Sequence, residues 1–249
     1  MNIKKRLAKL QRLAIAPAQI QDRLITLTPQ QHHYLSRVLR LPEGDRFIAM
    51  DGLGHWWLAT LAGTTAEILE PLSVQTELPV AVTLMVAPPK GNGFDEVVRY
   101  CTQLGAAGIV PVASDRTLLN PGSQKLDRWR RIAAEAAEQS ERQIVPTILE
   151  PVPFAAAISS VEPSAHRYLC VARGDAPHLL GCLQETYPQP VQIAIATGPE
   201  GGWTPQEVET AIAHCFKPVS LGRRILQAVI APAIALSLVA AAFESNHYA

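Results

Sequence analysis

Two glycine-bearing turns near the carboxyl end hold the residues best suited to chemistry. The first is ATGPEGGWTPQEVE, from Ala196 to Glu209; the second is VSLGRRILQAVIAPAIAL, from Val219 to Leu236. In the first, an apolar, partly β-branched run, Val191–Ala196, reads as a buried strand. Gly198-Pro199-Glu200-Gly201-Gly202 then breaks any regular element, and glycine lets a ligand approach the main chain closely. Thr204, Pro205 and Glu207 have the spacing of a helix start with a reciprocal cap. The second segment repeats the plan, with a strand to Ser220, a turn at Leu221-Gly222 and a long alanine-rich helix. Two such bends side by side present backbone N–H and C=O groups as a floor and a wall. That surface suits a neutral, flat ligand such as an adenine ring with its ribose. Taken alone, Gly-Pro-X-Gly-Gly is more often a tight loop than a ligand site. Neither phosphate-cradling glycine pattern, Gly-x-x-x-x-Gly-Lys-Ser/Thr or Gly-x-Gly-x-x-Gly after a strand, is present.

The elements that must position these turns follow from the rest of the chain. With 249 residues, 48% of them hydrophobic, the chain can bury one large core or two small ones. Equal numbers of acidic and basic residues, 22 each, argue against a highly charged nucleic-acid coat but leave room for a local basic patch. Such a patch is suggested at the start, where Lys4, Lys5, Arg6, Lys9, Arg12, Arg23, Arg37, Arg40 and Arg46 face only Asp22, Glu43 and Asp45. Cys101, Cys170, Cys182 and Cys215 are scattered, as expected of buried thiols in a reducing, cytoplasmic setting. No signal-peptide pattern is visible. The uncharged run 228–243 is shorter than the ~20 residues of a membrane span. Adjacent His32 and His33 cannot point at one ion, so no metal site is expected.

Thr28-Pro29-Gln30-Gln31 opens a helix, with Leu35, Val38 and Leu39 expected to face inward. Short strands then follow at RFIAMD, HWWLATL and AEILEPL, which reads as a small barrel. The proline-bearing stretch 70–79 divides the chain into residues 1–75 and 76–249. Beyond it, VAVTLMVAPPKG, FDEVVRYCTQLGAAGIVPV and LDRWRRIAAEAAEQSERQIVP alternate strand and helix, and VARGDAPHLL and VQIAIATG are expected to complete a parallel sheet.

The pair GPEGG and LGRRIL resembles the RsmE-type enzymes of the SPOUT class. The resemblance extends to HYLSRVLRLPEGDRFIAMDG, to Ser114-Asp115-Arg116, and to Trp129, Glu135, Ala136, Glu138, Gln139 and Arg142, so it covers most of the chain. It implies a 16S ribosomal RNA (uridine-N3)-methyltransferase that uses S-adenosylmethionine. The implied fold is an α/β domain with a carboxyl-terminal trefoil knot, preceded by a PUA-like β-barrel. The implied assembly is a homodimer, with Ala231, Ala233, Ala235 and Ala240 facing a partner. On this reading Thr197, Gly198, Pro199, Glu200, Gly201, Gly202, Leu221, Gly222, Ile225 and Leu226 clasp the cofactor. Arg224 and Glu200 are the catalytic candidates, and Arg37, Arg40, Lys90, Arg116 and Arg142 the RNA contacts. The chain departs from the family at Gln103, Gln227 and Val229, where many members carry charged residues. Those neutral positions keep a second reading open, a cofactor- or RNA-binding assembly factor of the same fold that transfers nothing.

Overall fold

The computed structural model describes residues 10–117, 122–185 and 192–244. Lys4, Lys5, Arg6 and Lys9 of the basic run, and Val191 of the expected strand, lie outside them. The chain forms two compact units. One runs through Glu77 and takes in Ala137–Val145; the other comprises Leu78–Ala136 and the chain from Pro146 onward.

The first unit is built on strands β1 (Arg12–Ala14), β2 (Ile20–Gln21), β3 (Leu24–Thr26), β4 (Arg46–Met50), β5 (Trp56–Ala62) and β6 (Thr65–Leu72). Their order is β1-β4-β5-β6-β3-β2, antiparallel except for the β1–β4 pair. Alternation along the strands sends Phe47, Ala49, Ala59, Leu61, Ala66 and Ile68 into one core with Ile25 and Leu35. Helix α1 (Pro29–His33) starts as its sequence requires: Gln31 N–H donates to Thr28 Oγ1 at 3.2 Å and Thr28 N–H donates to Gln31 Oε1 at 2.9 Å.

The turn after α1, Tyr34–Val38, is π-helical, and the Leu39 N–H reaches the Tyr34 carbonyl at 2.9 Å. The wider winding rotates the face beyond Leu35. Val38, expected to point inward, is therefore 59% exposed, whereas Leu35 is fully buried. Residues 137–145 add to this unit in a way the 1–75 division does not include. Gly54 N–H and Gln143 carbonyl, and Gln143 Nε2 and Gly54 carbonyl, are joined at 3.0 Å each. Arg12 pairs with Glu141 at 2.7 Å.

The second unit alternates strands with helices, as its sequence rhythm predicts. In chain order it holds β7 (Ala81–Val86), α2 (Gly93–Gln103), β8 (Gly108–Ala113), α3 (Ser123–Gln139, whose last residues count with the first unit), β9 (Thr147–Ile148), β10 (Val152–Pro153) and α4 (Phe154–Ser159). It continues with β11 (His166–Cys170), α5 (Leu179–Gln184), β12 (Gln192–Thr197), α6 (Pro205–Ala213), β13 (Lys217–Val219) and α7 (Ala231–Glu244). The sheet order is β10-β8-β7-β12-β11-β13, parallel throughout, with β9 also beside β8.

The strand expected at VARGDAPHLL lies earlier, at His166–Cys170. Gly174 has φ +105° and Pro177 has no N–H, so the stretch after Cys170 leaves the ladder as a loop. Helix α7 packs within its own unit, against α2, α5, β7 and β12. Ala235, Leu236 and Val239 are wholly buried there, so the expectation that Ala235 faces a partner is corrected. Ile230 and Ile234 beside them remain exposed. No helix among the described residues is long and apolar enough to cross a membrane.

Candidate active site

Parallel strands place the loops that follow them on one edge of the sheet. Three adjacent strands do this in the second unit, and Cys170 at the end of β11 is in register with Thr197 of β12 and Val219 of β13. The loops leaving these ends enclose a cleft of about 1010 Å³. All ten residues expected to clasp a cofactor line it, together with Arg224 and Arg116. The two glycine bends, separate in sequence, therefore meet in space.

The first bend is held from several sides. Gly202, at φ +68°, donates its N–H to the Pro199 carbonyl at 2.9 Å. Glu200 Oε1 accepts the Lys90 N–H at 2.9 Å, and Arg116 Nη1 donates to the Gly201 carbonyl at 2.7 Å. The Trp203 ring lies under Gly198, where an added Cβ would come within 3.1 Å of it. Trp203 Nε1 donates to the Cys170 carbonyl at 3.1 Å, and the ring packs on Phe154. Behind the bend, buried Glu207 accepts the Thr204 N–H at 2.7 Å and the Asp115 N–H at 2.9 Å, so one carboxylate both caps α6 and anchors the loop that carries Arg116.

The second bend turns on Gly222, at φ +119°, a backbone conformation open chiefly to glycine. Ser220 Oγ accepts the Gly222 N–H and donates to the Gly222 carbonyl, both at 3.1 Å. Arg224 is exposed at the cleft with no hydrogen bond or ion pair among the described residues. Thr197 is wholly buried where it lines the cleft, and its Oγ1 has no hydrogen-bond partner among the described residues. Burial pushes the Cys170 thiol up to about 12, so Cys170 lines the cleft as a neutral S–H and not as a nucleophile.

The remaining expected site residues are distributed differently. Lys90 reaches the first bend through its backbone, and its side chain is exposed. Arg37 and Arg40 are exposed in the first unit, without ion pairs among the described residues. Arg142 is only 4% exposed, and its guanidinium is ion-paired with Glu77 within that unit, with Nε at 3.1 Å from Oε2. A side chain so engaged does not present itself to phosphate, which corrects its assignment as an RNA contact.

The loop 171–176, Trp203 and Glu207 also shape the site, although the motif reading assigned none of them to it. Ala172-Arg173-Gly174-Asp175 carried a signal, a turn-forming glycine one residue beyond an apolar run. The neutral departures do not form one group. Val229 packs on Gly93 at the start of α2, where an added Cβ would lie 2.8 Å from Val229 Cγ2. Gln103 is at the far end of that helix, ten residues or roughly 15 Å along its axis.

Comparisons with known proteins show the family. A family model described as an RNA methyltransferase domain matches residues 76–240, and one described as an RNA methyltransferase PUA domain matches residues 27–70. The chain is 50% identical over 238 residues to the ribosomal RNA small subunit methyltransferase E of Synechocystis sp., spanning 94% of this chain and 78% of that one. The crystal structure of a ribosomal RNA small subunit methyltransferase E from Neisseria gonorrhoeae, bound to S-adenosylmethionine, superimposes with a TM-score of 0.83 at 27% identity, covering 93% of this chain and 97% of that one. A Legionella pneumophila protein in complex with the same cofactor gives 0.81 at 25% identity, covering 94% of this chain and 98% of that one. With half its residues shared over most of the Synechocystis enzyme and both domain models in sequence order, the chain belongs to the ribosomal RNA small subunit methyltransferase E family.

Proposed function

We propose that the chain methylates N3 of a uridine in small-subunit ribosomal RNA, using S-adenosylmethionine and acting on the assembled subunit. The observation that carries this reading is the meeting of the two glycine bends around one cleft. The residues there fit the cofactor. The bends leave main-chain groups accessible for an adenosine, and the buried Thr197 hydroxyl, without a partner among the described residues, is a group of the kind that bound ligands satisfy.

S-adenosylmethionine supplies an electrophilic methyl group on a sulfonium. The reaction forms an N3–C bond, breaks the S–C bond and releases the N3 proton. The chain's part is to hold the acceptor in line at ~3–3.5 Å and to stabilise charge as it develops. Exposed at the cleft and unpaired among the described residues, Arg224 would do the second by hydrogen-bonding the uracil carbonyls as N3 becomes anionic. Glu200, one oxygen of which already holds the Lys90 N–H, acts by fixing the bend. The target base must be unpaired, since N3 is engaged in a base pair. Exposed Arg37, Arg40, Lys90 and Arg116 are the proposed phosphate contacts. The trefoil knot and the homodimer belong to the same reading; exposed Ile230, Ile234 and Tyr100 support a partner surface.

The test is to incubate the protein with labelled S-adenosylmethionine and small subunits lacking the mark, then map the product. Label at N3 of a single uridine is the expected result. Tight cofactor binding with no transfer would make the chain a binding factor instead.

A further inference from the structure

The loop between β11 and α5 carries Arg173 and Asp175 on either side of Gly174. Both side chains are exposed, both line the cleft, and neither makes a hydrogen bond or ion pair among the described residues. The position of the loop is set by the sheet. Strand β11 lies between β12 and β13, so the loop leaves the edge between the two glycine bends. At its root the Val171 N–H donates to the Val219 carbonyl at 2.9 Å.

The bends offer main-chain groups, which suit the adenosine part of a methyl donor. The other end of that donor is an α-amino acid, with a carboxylate and an ammonium on one carbon. A pair of opposite charges recognises such a zwitterion better than backbone dipoles do, because charge-assisted hydrogen bonds are roughly twice as strong as neutral ones. The other charged groups at the cleft are differently disposed. Arg116 donates to the Gly201 carbonyl, Glu200 accepts from Lys90, and Arg224 stands on the far bend. Asp175 is the acidic side chain lining the cleft that holds no hydrogen bond among the described residues.

We infer that Arg173 binds the α-carboxylate and Asp175 the α-ammonium of the methyl donor, so that this loop reads the amino-acid end of the ligand. The inference rests on the methyl-donor reading of the cleft.

Calorimetry with four probes tests it: S-adenosylmethionine, S-adenosylhomocysteine, decarboxylated S-adenosylmethionine, and 5′-methylthioadenosine, which lacks the amino-acid end. Arg173→Ala and Asp175→Ala should each weaken S-adenosylhomocysteine by about tenfold, the scale of one charge-assisted hydrogen bond. Both should leave 5′-methylthioadenosine within about twofold of the unsubstituted protein on that same scale. The preference for S-adenosylmethionine over its decarboxylated form should shrink in Arg173→Ala and return in part in Arg173→Lys. Unchanged ratios among the probes would overturn the assignment. So would equal losses on all of them, which would make the loop a structural support. A loss confined to RNA affinity would make Arg173 a phosphate contact and likewise overturn it. Failure of the unsubstituted protein to bind any probe would instead remove the methyl-donor reading, and the inference with it.

Discussion

The Glu200 carboxylate accepts the Lys90 N–H at 2.9 Å, joining two loops 110 positions apart in the chain. The bond sits at the rim of the cleft and fixes the first bend against the end of β7. Glu200→Gln keeps an acceptor oxygen and should leave both methyl-donor affinity and kcat near the starting values. Glu200→Ala removes the acceptor and should weaken donor binding by about tenfold, the scale of one hydrogen bond to a charged group. A glutamine variant with intact binding but kcat down by orders of magnitude would instead give Glu200 a role in proton transfer.

Gly222 is the position least tolerant of a side chain in the second bend, because its φ of +119° disfavours any L residue. Gly222→Val should cost on the order of 1–3 kcal/mol in backbone strain or displace the bend. The expected readout is loss of measurable donor binding at a temperature where circular dichroism reports a folded chain. Unchanged affinity would mean that the second bend does not touch the ligand.

Arg142 and Glu77 form a buried ion pair in the first unit, and Glu77 Oε1 also accepts the N–H groups of Gln143 and Ile144 at 2.9 and 3.1 Å. Removing one partner of such a pair strands the other charge. Arg142→Ala should therefore lower unfolding stability by about 3–5 kcal/mol in urea titration. The salt dependence of RNA binding, measured below the unfolding transition, should not change. A shallower salt slope would restore Arg142 as a phosphate contact.

Asp51 offers a pH test within the same unit. Burial raises its carboxyl, but the Leu53 N–H, the His55 ring and the His55 N–H outweigh burial and hold the group below its ordinary value. A carboxyl depressed by folding adds stability above its unfolded pKa of about 3.9, and that stability fades as pH falls through the lower folded value. Asp51→Asn should thus be less stable than the unsubstituted protein at pH 7, and the difference should narrow in acid. An equal gap at pH 7 and pH 3 would contradict the stated linkage.

What could be read in the sequence was local. The Thr28–Gln31 and Thr204–Glu207 caps span three residues each, so their types and spacing alone specify them. The glycine bends were legible for the same reason, and parallel strands then brought them together. The π-helical turn at Tyr34–Val38 was not legible, because no residue type marks the extra residue that misdirected Val38. Nor was the Arg142 partner, which lies 65 positions away, beyond the i,i+4 neighbours that patterning suggests. Trp203 escaped for a related reason: its ring serves the site through a bond to a carbonyl at the end of another strand.

The return of residues 137–145 to the amino-terminal unit has a consequence for how this chain is made. A nascent chain that ended its first domain at residue 75 could finish folding that domain early. Here the ribosome must add about 70 more residues, on the order of 3–14 s of synthesis, before Arg142 can meet Glu77. Until then the carboxylate waits without its counter-ion.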